Sequence, residues 1–219
     1  MALDSYANLQ TAIATWLGAT GDTEVTGNAA DFITLAEQRI NRGAEGPFPS
    51  PPLRLQAMET VDTAFAVASE YTNLPADFLE MRRLVLPTSP PWPVQVVSEE
   101  QIVALYRGQT GTAYVAAIVG QQLQIKPVIT ASTVFELTYV AKVPALSGGA
   151  PTNWLLTNAP GVYLYAALLE AVGIGVADPG MAERWHGMYL AAVAGLQSSD
   201  RRARFAGSVL QARPAMVTP

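Results

Sequence analysis

The sequence has no cysteine, which excludes disulfides, thiolate metal sites and a cysteine nucleophile, and leaves the redox compartment open. It has one histidine, His186. A transition-metal site would therefore have to be almost wholly carboxylate, and the acids show no clustered spacing of the kind a calcium loop needs. Lysine is nearly absent: of 13 basic residues only Lys126 and Lys142 are lysines, against 18 acids and a net charge of −5. Affinity for nucleic acid comes largely from basic groups that displace phosphate counterions, so this balance argues against a dedicated DNA-binding module, though not against a surface past which DNA slides. Charge of either sign is scarce, at 14 % of residues, where a soluble domain carries about a quarter. So neutral a surface suits a protein that buries much of itself against copies or partners.

Long apolar runs are missing too. The longest, from Val162 to Ala177, is broken by Glu170 and by glycines, and falls short of the ~20 residues a membrane span needs. The N-terminus, MALDSYANLQ, carries an acid where a signal peptide needs a basic region. Secretion is not expected, and the chain reads as soluble, with no cofactor and no membrane association.

What is present is apolar mass: 219 residues, half of them hydrophobic, enough for a sizeable core in one large domain or two small ones. The most informative stretch is Pro151–Ala171, PTNWLLTNAPGVYLYAALLEA. Asn158 or Ala159 caps it, and Pro160 sits in the first turn, where its missing N–H costs nothing. From Val162 to Leu169 no polar stripe appears before Glu170. A helix with no wet face lies inside a bundle or against another subunit.

Tyr6, Leu9, Ile13, Trp16 and Leu17 share one helical face after an Asp4-Ser5 cap, and Gly18 closes that helix. Asn28 with Asp31 caps a second helix, whose apolar positions Phe32, Leu35, Ala36 and Ile40 alternate with Glu37, Arg39 and Arg42. Gly43–Pro52, GAEGPFPSPP, cannot continue a helix and marks a boundary. β-branched and alternating runs follow at 58–67, 82–86, 94–97, 114–124 and 133–142. Within them 113–126 reads as a hairpin turning at Gly120-Gln121, with Pro127 ending its second strand. Ser98 with Gln101 is a capping box opening a short helix through Tyr106. Leu74–Arg83, LPADFLEMRR, reads as a turn of helix between strands. Met181, Trp185, Met188, Ala192 and Leu196 define one face of the last helix, after which apolar periodicity is lost.

Candidate chemistry is thin. His186, beside Glu183 and Arg184, would be a general base only with a nucleophile to serve, and no Ser or Cys motif supplies one. It reads as a helix-surface residue. Asp77 with Glu80, and Glu99 with Glu100, are possible acid/base pairs, yet each follows a helix-cap signal where the dipole favours acids. Gly173, Gly175 and Gly180 lack the spacing of a dinucleotide fingerprint. Trp154, Tyr163, Tyr165, Trp185 and Tyr189, at helical spacing, read as core or interface anchors before they read as a pocket. Arg201, Arg202 and Arg204, followed by Phe205, form the one basic cluster, which suits protein docking or solubility better than nucleic acid.

The segments SYANLQTAIATWL, DFITLAEQRINR, LPADFLEMRRL, AIVGQQLQI, FELTYVAKVPALS, TNWLLTNAPGVYLYAALLEA and DRRARFAG, in that order and spacing, resemble the head-to-tail adaptor (connector) proteins of tailed DNA bacteriophages. The likeness spans nearly the whole chain and departs at GAEGPFPSPP and GIGVADPG. It implies a non-enzymatic structural protein of the virion neck, assembled in the host cytoplasm. Such proteins form a ring, commonly dodecameric, that docks under the portal, extends the channel for genomic double-stranded DNA and gives the tail, nozzle or stopper proteins a platform.

The expected fold is α+β: an N-terminal helical pair at 1–45, an inserted, mainly antiparallel β-rich region at 46–150, a C-terminal helical pair at 151–198 completing one bundle, and an extended arm at 199–219. Arg201, Arg202, Arg204, Phe205, Tyr163 and Tyr165 are the residues expected to meet the portal or a neighbouring subunit. The other readings are a stopper, tail-completion or decoration protein, and a small enzyme using Asp77, Glu80 or His186.

Overall fold

The computed structural model describes residues 2–105, 108, 110–172 and 179–206. In chain order its helices are α1 (Tyr6–Trp16), α2 (Thr23–Arg42), α3 (Glu99–Leu105), α4 (Trp154–Asn158), α5 (Pro160–Ala171) and α6 (Pro179–Phe205). Its strands are β1 (Glu59–Val67), β2 (Tyr71–Asn73), β3 (Phe78–Leu86), β4 (Trp92–Pro93), β5 (Gln95–Val96), β6 (Val115–Val119), β7 (Gln122–Lys126) and β8 (Thr133–Ala141). The chain divides into two compact units, one joining Met1–Gln56 with Ala145–Pro219 and the other formed by Ala57–Pro144.

In the helical unit the Ser5 hydroxyl accepts the Asn8 N–H and starts α1. α2 begins earlier than its sequence suggests. Asp22 caps it, accepting from the N–H of Glu24 at 2.8 Å and of Val25 at 3.5 Å, with the Glu24 carboxylate favoured in the first turn by the helix dipole. Asn28 and Asp31, read as caps, are interior helical residues. The apolar stripe of α2 is also shifted: Val25, Ala29, Phe32, Ile33, Ala36 and Ile40 are buried with Glu37 and Arg39, while Leu35 is 42 % exposed.

Asn153 caps α4, its Oδ1 accepting the Leu156 N–H at 2.8 Å, and Pro160 opens α5 at the first helical position. α5 packs against α1, α2, α4 and α6. Its Val162, Tyr163, Leu164, Ala166, Ala167, Leu168, Leu169 and Ala171 are all buried. Each large apolar side chain that the helix removes from water contributes about 1.5–3 kcal/mol. On α6 the buried face is Ala182, Trp185, Tyr189 and Val193, offset from the expected one, and Met181 is exposed.

The arm expected from Ser199 is instead helical through Phe205. The physical reason is local: the Arg204 guanidinium pairs with Asp200 one turn earlier at 2.9 Å, Arg202 reaches back to the Ser198 carbonyl and hydroxyl, and arginines in a last turn complement the dipole. Residues 207–219 of that expected arm, Tyr106, and the 173–178 segment with Gly173 and Gly175 lie outside the described residues.

The β unit holds two four-stranded sheets, ordered β1-β8-β3-β4 and β2-β7-β6-β5. Every pairing is antiparallel except β5 with β6. Phe65, Leu84, Phe135, Leu137 and Tyr139 of the first sheet meet Ala116, Leu123 and Ile125 of the second in one core. β6 and β7 form the expected hairpin, with Gly120 at φ +63° in its turn, a conformation that favours glycine. The Ser98–Gln101 capping box closes in both directions at 3.4 Å and starts α3, whose Ile102 packs with Val115 and Ala117. The helical turn expected in Leu74–Arg83 is a tight turn, closed by the Phe78 N–H on the Pro75 carbonyl at 3.0 Å, and β3 starts at once. Pro75 withholds a donor, and the alternation Phe78, Glu80, Arg82 carries strand periodicity.

Candidate functional site

Three groups of side chains give the helical unit its functional geometry. The first is a buried polar network centred on Glu37. Its Oε1 accepts the Leu146 N–H at 2.7 Å and the Tyr163 hydroxyl at 3.5 Å. That hydroxyl in turn accepts from Asn153 Nδ2 at 2.7 Å. Burial pushes the Glu37 carboxyl above the ordinary carboxylate range, against the opposing pull of the Leu146 and Tyr163 hydrogen bonds. Burial likewise raises the Tyr163 phenol; the Asn153 bond opposes this and the Glu37 charge adds to it.

The second group fastens the proline-rich stretch after α2. Arg39 is 9 % exposed; its Nε donates to Glu170 Oε1 at 2.6 Å and its Nη1 to the Phe48 carbonyl at 2.6 Å. Ala44 and Ser50 exchange two main-chain hydrogen bonds of 2.9 Å, so the stretch folds back as a closed loop. His186 Nε2 lies 2.8 Å from the Pro49 carbonyl, an atom that only accepts, so this nitrogen carries the proton. Its ring also packs on Phe48, centroid to centroid 5.6 Å. The only histidine is thus a loop clasp on α6.

The third group is exposed. Arg201, Arg202 and Arg204 lie on the surface of the last turns of α6. Asp200 beneath them uses Oδ2 for Arg204 and Oδ1 for the Gln56 N–H at 2.8 Å. On α1, Trp16 is 46 % exposed and meets the half-buried Tyr165 of α5 edge to face, centroids 6.0 Å apart and planes at 74°, an arrangement that aromatic quadrupoles favour. Tyr163 does not belong to this surface. It is fully buried in its own unit because its hydroxyl is needed by Glu37 and Asn153, and its expected interface role is corrected accordingly. Phe205 ends α6.

The acid pairs named in the sequence occupy structural positions. Asp77 Oδ1 accepts the Tyr139 hydroxyl at 3.1 Å, and burial, helped by that bond and charge, pushes the Tyr139 phenol up to about 12. Glu80 pairs with Arg82 at 3.3 Å, so the Asp77/Glu80 couple is split between two partners. Glu99 and Glu100 occupy the first turn of α3. Glu70 binds Lys126 at 2.9 Å and Gln124 at 2.7 Å, and the lysine hydrogen bond holds its carboxyl below the usual range. Trp185 and Tyr189 are core residues. Among the described residues no cluster of three or more His, Cys, Asp or Glu side chains could hold a metal ion, and no helix is long and apolar enough to cross a membrane.

Sequence reasoning missed Glu37, Arg39, Asn153 and Glu170 as structural polar residues. For Glu37 a signal was present: it falls one turn after Ile33 and next to Ala36 on the apolar stripe of α2, where a carboxylate must be hydrogen-bonded. Arg39 and Glu170 are far apart in sequence, and nothing local pairs them.

No match is found among curated proteins. A family model described as SU10 adaptor protein matches residues 4–213.

Proposed function

The chain belongs to the SU10 adaptor protein family, whose members are structural head-to-tail adaptors of phages, and from that premise we propose that copies of it form a ring that docks beneath the portal. The ring extends the DNA channel and offers the tail its platform. The observation that carries this reading is the family match over nearly the whole chain. The surface features agree with it. A ring needs a heterologous interface, one patch meeting a different patch on the next copy. The Trp16–Tyr165 ledge supplies an apolar patch, and the arginine turn of α6 a cationic one for a carboxylate-bearing partner. Scarce basic charge lets DNA pass without adhering. The N- and C-terminal helices act as one bundle, and the β unit is an insert in its sequence.

The test is electron microscopy of the purified chain mixed with its portal. Coaxial rings on the portal are expected; portal particles without added density would overturn the reading. Labelling virions with antibody to this chain separates the adaptor from a decoration role, because label at the neck alone is expected.

A further inference from the structure

Among its described residues the β unit has an open mouth lined by uncharged side chains. One cleft of about 420 Å³ is floored by Leu86, Ile129 and Phe135. A second, of about 270 Å³, adjoins it through Leu86, Thr88 and Thr112 and is walled by Trp92 and Tyr114. Trp92 is 56 % exposed, the most exposed large apolar side chain among the described residues. The floor is buried and apolar, the rim is aromatic and hydroxyl-bearing, and among the described residues no acid or base lines either cleft.

Uncharged mouths of this kind, at the end of a β structure, take apolar groups. Aromatic walls with neighbouring hydroxyls suit an extended, proline-containing peptide, whose stiffness leaves little entropy to lose on binding. A phosphate, a nucleic-acid strand or an acidic peptide finds no countercharge among the described lining residues. The chain itself contains a segment of the required chemistry. Residues 207–219, GSVLQARPAMVTP, carry one charge, Arg213, two prolines, and the apolar side chains Val209, Leu210, Met216 and Val217. They follow directly on Ala206, at the end of the exposed α6 turn.

We propose that the mouth formed by Leu86, Thr88, Trp92, Thr112 and Tyr114 receives residues 207–219 from a second copy of the chain, with Met216 as the anchor. Methionine is unbranched and adapts to irregular apolar cavities. The choice of a second copy rests on the ring reading above, in which copies of the chain stand side by side. The link joins copies through a proline-containing peptide and a preformed cavity, and needs no rearrangement of either sheet.

A fluorescein-labelled peptide of residues 207–219 titrated into the full-length chain tests it by anisotropy. A saturable rise is expected, weakened at least tenfold by Trp92→Ala or Thr112→Arg in the protein and by Met216→Asp in the peptide. Both protein positions are exposed, and circular dichroism checks that the variants remain folded. No saturable binding to the full-length chain would overturn the proposal. So would equal affinity in the mouth variants, or equal binding of an unrelated uncharged proline-containing peptide. Binding only by a chain ended at Ala206, while the full-length chain is monomeric by sedimentation, would also overturn it, because it would mean that each copy fills its own mouth. Rings on the portal are read by microscopy, independently of anisotropy, so failure here leaves the adaptor reading standing.

Discussion

Glu37 Oε1 accepts the main-chain N–H of Leu146 at 2.7 Å, joining residues 109 positions apart. This bond fixes the place where the chain returns to the helices, and it is made by a carboxylate that burial holds reluctant to ionise.

Glu37→Gln keeps an acceptor for Leu146 and Tyr163 while removing the cost of a buried charge. Because the folded-state pKa of Glu37 is raised, its native form takes up a proton before the unfolded chain does. Its contribution is therefore most favourable below the ordinary carboxylate range and is lost as pH rises through the raised value. Melting temperatures of wild type and Glu37→Gln should diverge as pH rises from about 4 to 7, with the variant gaining relative to wild type. Glu37→Ala should lose about 2 kcal/mol at any pH by stranding the Leu146 N–H.

Gly43 is a position where a side chain cannot fit. Its φ is +80°, and an added Cβ would lie 2.7 Å from the Ser50 carbonyl oxygen. Gly43→Ala should cost about 2–3 kcal/mol in urea denaturation, whereas Gly46→Ala, with open space around it, should cost less.

Arg39→Ala should lose about 3 kcal/mol, because it leaves the partly buried Glu170 carboxylate without its partner. It also frees the Phe48 carbonyl, so limited proteolysis within 44–50 should quicken. Arg39→Ala and Glu170→Ala combined should cost clearly less than the sum of the two alone.

The arginine turn can be separated from stability. Arg201→Glu with Arg202→Glu should leave the melting temperature within about 2 °C of wild type, since exposed pairs contribute little. Co-sedimentation with the portal should fall at least tenfold. Unchanged co-sedimentation would remove this turn from the interface.

Trp16→Ala should cost less stability than Trp185→Ala, because Trp16 is half exposed and Trp185 is buried. Cavity formation at the latter predicts a loss of about 3–5 kcal/mol. Ring formation should show the opposite ranking.

The elements that were legible in the sequence are those with a local cause. Ser5, Pro160, the Ser98–Gln101 box and the Gly120 turn each act within a few residues, and the structure contains all four. The misreadings come from competition between two local signals or from distant partners. Asp22 outcompeted Asn28 as the cap of α2, and the Asp200–Arg204 pair carried α6 past the place where apolar periodicity faded. Tyr163 is expected at an interface with the portal or a neighbouring subunit, but Glu37 and Asn153, distant or on another helix, claim its hydroxyl inside the unit. The family was legible from the order of segments, whereas the exposed ledge of Trp16 and Tyr165 required knowing which apolar side chains the core leaves over.

The helical unit is discontinuous in the chain and the β unit is not. During synthesis on a ribosome the residues of the β unit emerge together and can fold as a block while translation continues. α1 and α2 must wait, their apolar faces uncovered, until α5 and α6 have been made. A nascent chain stalled shortly after Pro144 would therefore present folded sheets beside two unprotected amphipathic helices, the state in which a trigger-type chaperone has most to shield.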